Sequence, residues 1–192
     1  MPSSSFDFVS PSDVIGVTTA FFGGKIDLDP ASSPHANTLV CAERFFTEED
    51  NGLKQAWKAK SVYLYPPREL LTGLEQPESP LLFVKKRKFQ KSKQRVWLEE
   101  AYRRYMHKEF DEAIVFLTSS DVALRVTQKI SIDLPMCVMR DTPKLALDQQ
   151  GLPELKNSRC IGFILYFPST QNYDTKMQEF IELYSLLGRV YY

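Results

Sequence analysis

The chain has 192 residues, enough for a single α/β domain with a substantial core, and its Lys+Arg and Asp+Glu totals, 24 each, cancel at neutral pH. That balance excludes nucleic-acid binding by bulk charge, so any such surface has to come from local clustering. No apolar run reaches membrane length and no secretory leader is visible, which sets the expectation of a cytoplasmic protein.

In chain order, residues 1–9 read as a Ser-rich arm and residues 10–192 as the domain. Ser10-Pro11-Ser12-Asp13 predicts a helix start, with Ser10 as cap and Pro11 in the first helical position. Val14, Ile15, Val17, Thr18 and Phe21 form its apolar face, and Gly23-Gly24 stop it. Ile26-Asp27-Leu28-Asp29 follows as a short strand, broken at Pro30-Ala31-Ser32-Ser33. Asp27 and Asp29, two apart, share a face, and Asp29 at the strand end requires a polar partner or solvent. A short helix is expected over 35–43, then a turn capped by Thr47 over Glu48-Glu49-Asp50, with Leu53 and Trp57 on one face beyond it. Val62-Tyr63-Leu64-Tyr65 is a second buried strand, stopped by Pro66-Pro67-Arg68. Strand ends of this kind in an open α/β sheet face the ligand crevice.

A Gly/Pro/Glu-rich linker over 69–80 leads to an expected strand at Leu81–Val84. Directly after it comes a dense basic run, residues 85–95, carrying Lys85, Lys86, Arg87, Lys88, Lys91, Lys93 and Arg95 with one aromatic, Phe89. Such a run neutralises phosphates or is a solvated loop; its place beside the Pro-Pro turn sets the first reading level with the second. An amphipathic helix is expected over 92–110 with Leu98, Ala101, Tyr102, Tyr105 and Met106 inward, and Arg103, Arg104, His107 and Lys108 extending the basic surface. Ala113–Thr118 is the clearest buried strand, and Ser120 or Asp121 caps the next helix. Leu134–Met139, Leu145–Leu147 and Cys160–Phe167 read as later strands. Asp174 or Thr175 starts a last helix with Met177, Phe180, Ile181, Tyr184 and Leu187 inward, ended by Gly188. Cys41, Cys137 and Cys160 have no metal-ligand spacing and are expected as reduced, buried thiols, with no metal site.

Asp29-Pro30-Ala31-Ser32-Ser33, then Arg44-Phe45-Phe46-Thr47-Glu48-Glu49-Asp50-Asn51-Gly52-Leu53, then Trp57 and a Pro-Pro turn, resembles in order and spacing the phage-type DNA adenine methyltransferases. That family reads Leu-Asp-Pro-Cys-Ala-Ser, Tyr-Phe-Thr-Glu-Glu-Asp-Gly-Leu, Trp and Asn-Pro-Pro-Tyr. The resemblance runs over residues 10–68 and implies a single-domain α/β fold of the S-adenosylmethionine-dependent methyltransferase (Rossmann-like) kind, with helices on both sheet faces. It implies S-adenosylmethionine as cofactor, held by Asp29, Pro30, Ala31, Ser32 and an acidic residue of the Glu48–Asp50 turn, Asp50 among them. It implies DNA as partner, contacted by the basic run, and a catalytic turn at Tyr65, Pro66, Pro67 and Arg68.

At that turn the chain departs from the family, with Tyr65 in place of Asn and Arg68 in place of Tyr. An exocyclic adenine amine is a poor nucleophile because its lone pair is delocalised. The family's Asn oxygen and the first proline carbonyl accept its hydrogens and localise that pair, while the aromatic stacks on the flipped base. Here the Pro66 carbonyl remains, the Tyr65 hydroxyl lies further from the backbone than an amide oxygen, and Arg68 offers a guanidinium plane for stacking. Three readings follow: a DNA adenine methyltransferase; a degenerate module of that fold that binds nucleic acid without methylating it, with S-adenosylmethionine binding kept or lost; or methylation of a non-adenine acceptor, with Tyr65 serving a different nucleophile.

Overall fold

A computed structural model describes residues 8–68, 92–130, 132–147 and 160–192. The strand expected at 81–84 and most of the basic run lie outside the described residues. The elements in order are β1 (Phe8–Val9), α1 (Ser12–Phe21), β2 (Ile26–Asp29), α2 (Pro34–Val40), β3 (Ala42–Phe45), β4 (Ala59–Leu64), α3 (Lys93–Met106), β5 (Phe110–Leu117), α4 (Ser120–Thr127), β6 (Met136–Met139), β7 (Ala146–Leu147), β8 (Phe163–Phe167), α5 (Tyr173–Tyr184) and β9 (Gly188–Tyr191).

β3, β2, β4 and β5 run parallel, and their strands are continuously apolar where both faces are covered. β5 sends Ala113, Val115 and Leu117 to one core and Ile114 and Phe116 to the other. On the first side α3 and α4 pack Trp97, Leu98, Ala101, Val122 and Val126 over Leu28, Val62 and Leu64. On the second, α1 and α5 pack Val14, Ile15, Phe21, Phe180 and Tyr184 over Tyr63, Ile164 and Tyr166. The sheet order is β3-β2-β4-β5-β8-β6-β9, with β8 antiparallel to both neighbours and β9 antiparallel to β6. β1 and β7 form a separate two-stranded sheet, pairing Phe8 with Leu147. This is the expected α/β fold with helices on both faces.

The chain leaves β2 for β3 on one side and returns as β4 on the other, so the order reverses between β2 and β4. The carboxyl ends of strands flanking such a reversal diverge and leave a crevice. Leu28 of β2 stands beside Val62 of β4, which brings the Asp-Pro and Pro-Pro turns to the same edge.

Several boundaries differ from the sequence expectation, each for a local reason. Ser10 does not cap α1; Pro11 takes that place without a side-chain bond, and the Ser10 hydroxyl instead accepts from the buried Tyr63 hydroxyl at 2.7 Å. Val9 and Phe8, expected in the arm, form β1. The helix expected over 35–43 stops at Val40, because Asn37 bonds both the N–H and the carbonyl of Ala42 and Cys41 turns with φ of 53°. Ala42–Phe45 is therefore a strand. β4 starts earlier than expected and ends at Leu64, leaving Tyr65 just past it. α3 ends at Met106, since the chain must turn at Lys108 (φ 57°) to enter β5. Ser119, not Ser120 or Asp121, caps α4 by accepting from Val122 N–H. α5 begins at Tyr173 and ends at Tyr184, and Gly188 opens the unforeseen β9, where a Cβ would stand 2.0 Å from the Val138 carbonyl. Cys137 is buried, its thiol pushed up to about 12 by burial, but Cys41 is exposed at its left-handed turn, contrary to the expectation.

Candidate active site

A cleft of about 1010 Å³ opens at the edge where β2 and β4 end. Asp29, Pro30, Ala31 and Ser32 line it from one turn, and Tyr65, Pro66, Pro67 and Arg68 from the other. Phe46, Thr47, Glu48, Gly52 and Leu53 close one side, and Lys93, Val96, Trp97, Glu100 and Arg103 of α3 close the other.

The Asp-Pro turn is held by its neighbour strand. Phe46 N–H donates to the Asp29 carbonyl at 3.0 Å, and Ser32 N–H to the Phe46 carbonyl at 2.9 Å. Asp29 itself is 3% exposed and accepts from Ala31 N–H at 3.1 Å. Burial pushes its carboxyl up to about 7, partly offset by the Ala31 N–H and the neighbouring Ser32 hydroxyl. Asp27, on the same strand, serves the scaffold: its Oδ2 accepts from Lys60 and Ser61 N–H groups of β4 at 2.9 and 3.2 Å.

Asp50 does not line the cleft. Its Oδ2 accepts from Thr47 N–H at 2.9 Å and from the Thr47 hydroxyl at 3.0 Å, which closes the turn and holds its carboxyl below the usual range. Glu48 is the acidic residue of that turn that does line it. Gly52 presses on the Asp-Pro turn so closely that a Cβ would fall 1.9 Å from the Pro30 carbonyl oxygen. A glycine is required there by space.

At the Pro-Pro turn the Tyr65 ring is 7% exposed and packs on Phe116 with ring centroids 5.0 Å apart. Pro66 is buried, while Pro67 and Arg68 are half-buried toward the cleft. Of the basic run, Lys93 lines the cleft, whereas Arg95 pairs with Glu99 at 2.8 Å along α3. Lys85, Lys86, Arg87, Lys88 and Lys91 lie outside the described residues.

Sequence reasoning placed Arg104 on the exposed basic surface. It is 4% exposed and sits on the inward stripe of α3 with Trp97, Leu98 and Ala101. The spacing 97, 101, 104 carries that signal, since residues three and four apart share a helix face. Gln94, also buried, accepts at its side-chain oxygen from the N–H groups of Thr118 and Ser119, and so fixes the end of β5.

Among the described residues, no cluster of His, Cys, Asp or Glu could hold a metal ion, and no helix is long and apolar enough to cross a membrane. Neither a curated protein nor a solved structure matches the chain. The family model of DNA N-6-adenine-methyltransferase (Dam) matches residues 5–123, a span that ends inside α4 and takes in every strand and turn bordering the cleft. The chain belongs to the DNA N-6-adenine-methyltransferase (Dam) family.

Proposed function

We propose that the cleft binds S-adenosylmethionine beside the Asp-Pro turn and presents an adenine amine of DNA at the Pro-Pro turn, in a cytoplasmic enzyme. The observation that carries this is the single crevice shared by the two turns, with a buried, underpaired carboxylate at its floor. The residues fit the cofactor. Ala31 and Ser32 leave the main chain approachable, and a cation beside Asp29 restores the charged form that burial disfavours. Glu48, which lines the cleft, would accept from the ribose hydroxyls. The volume, near the top of the range for small-molecule sites, leaves space for a base next to the cofactor.

When bound, S-adenosylmethionine supplies an electrophilic methyl on a sulfonium. The chain's own part is positioning. The Pro66 carbonyl accepts a hydrogen of the adenine amine, and the Arg68 guanidinium stacks on the extruded base. Lys93, with the basic run that precedes it, holds phosphates in a salt-dependent way. Loss of the Asn acceptor leaves the transition state short of about 3 kcal/mol. The packing of Tyr65 on Phe116 favours a second reading, in which the cofactor and DNA bind but no methyl is transferred.

Calorimetric titration of S-adenosylmethionine, followed by transfer of radioactive methyl to unmethylated DNA, separates the outcomes. Saturable binding with label in adenine is expected. Binding without label selects the second reading, and absence of binding removes both.

A further inference from the structure

Arg104 engages nearly all of its donors from inside the protein. Its Nε donates to Glu100 Oε1 at 2.7 Å, Nη1 to the Gln55 carbonyl at 2.6 Å and Glu109 Oε2 at 2.8 Å, and Nη2 to the Leu53 carbonyl at 2.8 Å. The guanidinium carbon lies 4.8 Å from the Trp57 ring centroid. Trp57 in turn donates its indole N–H to the Gly52 carbonyl at 2.8 Å. Gly52 rests on Pro30, next to Asp29, with the Trp97 ring 3.1 Å from where a Cβ would stand. One packed series thus runs from α3, through the segment after the Thr47 turn, to the floor of the cleft.

We propose that Arg104 is a positioning residue for the cofactor side of the cleft: it sets how closely residues 50–57 sit over the Asp-Pro turn, acting through Leu53, Gln55, Trp57 and the Gly52–Pro30 contact. The proposal rests on reading the cleft as an S-adenosylmethionine site. A guanidinium suits the task because its forked donors reach two carbonyls and two carboxylates at once; a lysine brings a single nitrogen and cannot span them.

The test compares the full chain with Arg104→Lys and Gly52→Ala by amide hydrogen exchange without ligand, and by S-adenosylmethionine titration. Trp57 and Trp97 are the 2 tryptophans of the chain, so intrinsic fluorescence reads this network directly. Arg104→Lys is expected to speed exchange about tenfold over residues 29–33 and 50–57 while α5 and β8 keep wild-type rates. It should weaken S-adenosylmethionine binding about tenfold and leave kcat at saturating cofactor within about twofold. Gly52→Ala, which keeps every Arg104 donor but forces the segment off Pro30, should weaken binding similarly, and the double variant should lose less than the product of the two.

Faster exchange across the whole sheet, with affinity within about twofold of wild type, would make Arg104 a general brace and overturn the proposal. Unchanged exchange at 29–33 in either variant overturns it as well. If Arg104→Lys does not fold, Trp57→Phe, which keeps a ring in place and removes the indole donor to the Gly52 carbonyl, decides by the same two readouts. A wild-type chain that binds no S-adenosylmethionine sinks the reading of the cleft instead, and the exchange comparison still decides what Arg104 does.

Discussion

Two carboxylates, the buried Asp29 and the half-buried Glu112, stand at opposite ends of the parallel half of the sheet. Glu112, near the start of β5, accepts from the Tyr166 hydroxyl at 2.9 Å and has Lys176 of α5 at 3.7 Å. Asp29, at the end of β2, has one main-chain N–H and a nearby serine hydroxyl, with no cation against it among the described residues. Burial raises both carboxyls, but at Glu112 the Lys176 charge is the first force against that rise, whereas at Asp29 it is only a backbone hydrogen bond. The end of the sheet that packs against α5 supplies its own counter-charge. On the proposed reading, the end that opens onto the cleft leaves that role to the bound cofactor. A group left undercompensated beside a cavity marks a site better than its residue type does.

The largest effect that bears on this contrast is at Asp29. Its carboxyl sits near 7 in the folded chain, above its ordinary 3.8, so the folded state holds the proton more tightly than the unfolded one. The resulting cost to stability is absent below about pH 4, grows as pH rises, and is complete above about pH 7, on the order of a few kcal/mol. Asp29→Asn should therefore raise the thermal midpoint of the ligand-free chain at about pH 8 and leave it nearly unchanged near pH 4. The same substitution should weaken S-adenosylmethionine binding by about 100-fold, and wild-type affinity should rise with pH through neutrality. A variant destabilised at both pH values would make Asp29 another structural carboxylate and dissolve the contrast.

Tyr65→Asn probes the other wall of the cleft. It restores an amide acceptor, and methyl transfer should rise by about 100-fold. It also empties the space against Phe116, at a cost of about 3 kcal/mol in a denaturant titration. A rate that stays flat in the folded variant would locate the deficit elsewhere in the turn.

At the compensated end, Lys176→Met leaves Glu112 with the Tyr166 hydroxyl as its one partner among the described residues. Urea unfolding at neutral pH should show a loss of about 2 kcal/mol, with S-adenosylmethionine affinity unchanged. An affinity loss there would mean the two ends of the sheet are coupled. The smallest expected effect is at Lys93: Lys93→Ala should lower DNA affinity a few-fold and reduce the salt slope by about 1, read from binding at several ionic strengths.

The fold was legible at β2, β4, α3, β5 and α4, where short runs rich in apolar residues stop at Pro or Ser/Thr and each helix has a period. β9 was not, since Gly188-Arg189-Val190-Tyr191 has no pattern of its own and pairs only because β6 presents an edge. β3 was read as the tail of a helix; Asn37 closing on Ala42 is a tertiary choice between two local options. Within the cleft, the Asp-Pro and Pro-Pro residues were legible from composition and order. Asp50 was not separable from Glu48, because three adjacent acids differ only in which way the turn directs them. Arg104 was misread because a cation in an amphipathic helix is ordinarily outside, and only its carbonyl and carboxylate partners make the interior tolerable.

Covalent order alone thus decided where strands stop and which small and rigid residues stand at those stops, since proline and glycine act through local geometry. Which stops meet, which carboxylate has no counter-charge among the described residues, and which arginine lies inside depended on the reversal of strand order between β2 and β4 and on the packing of α3. Those outcomes come from contacts between residues far apart in the chain, where burial and pairing are settled together, and no window of neighbouring residues contains that information.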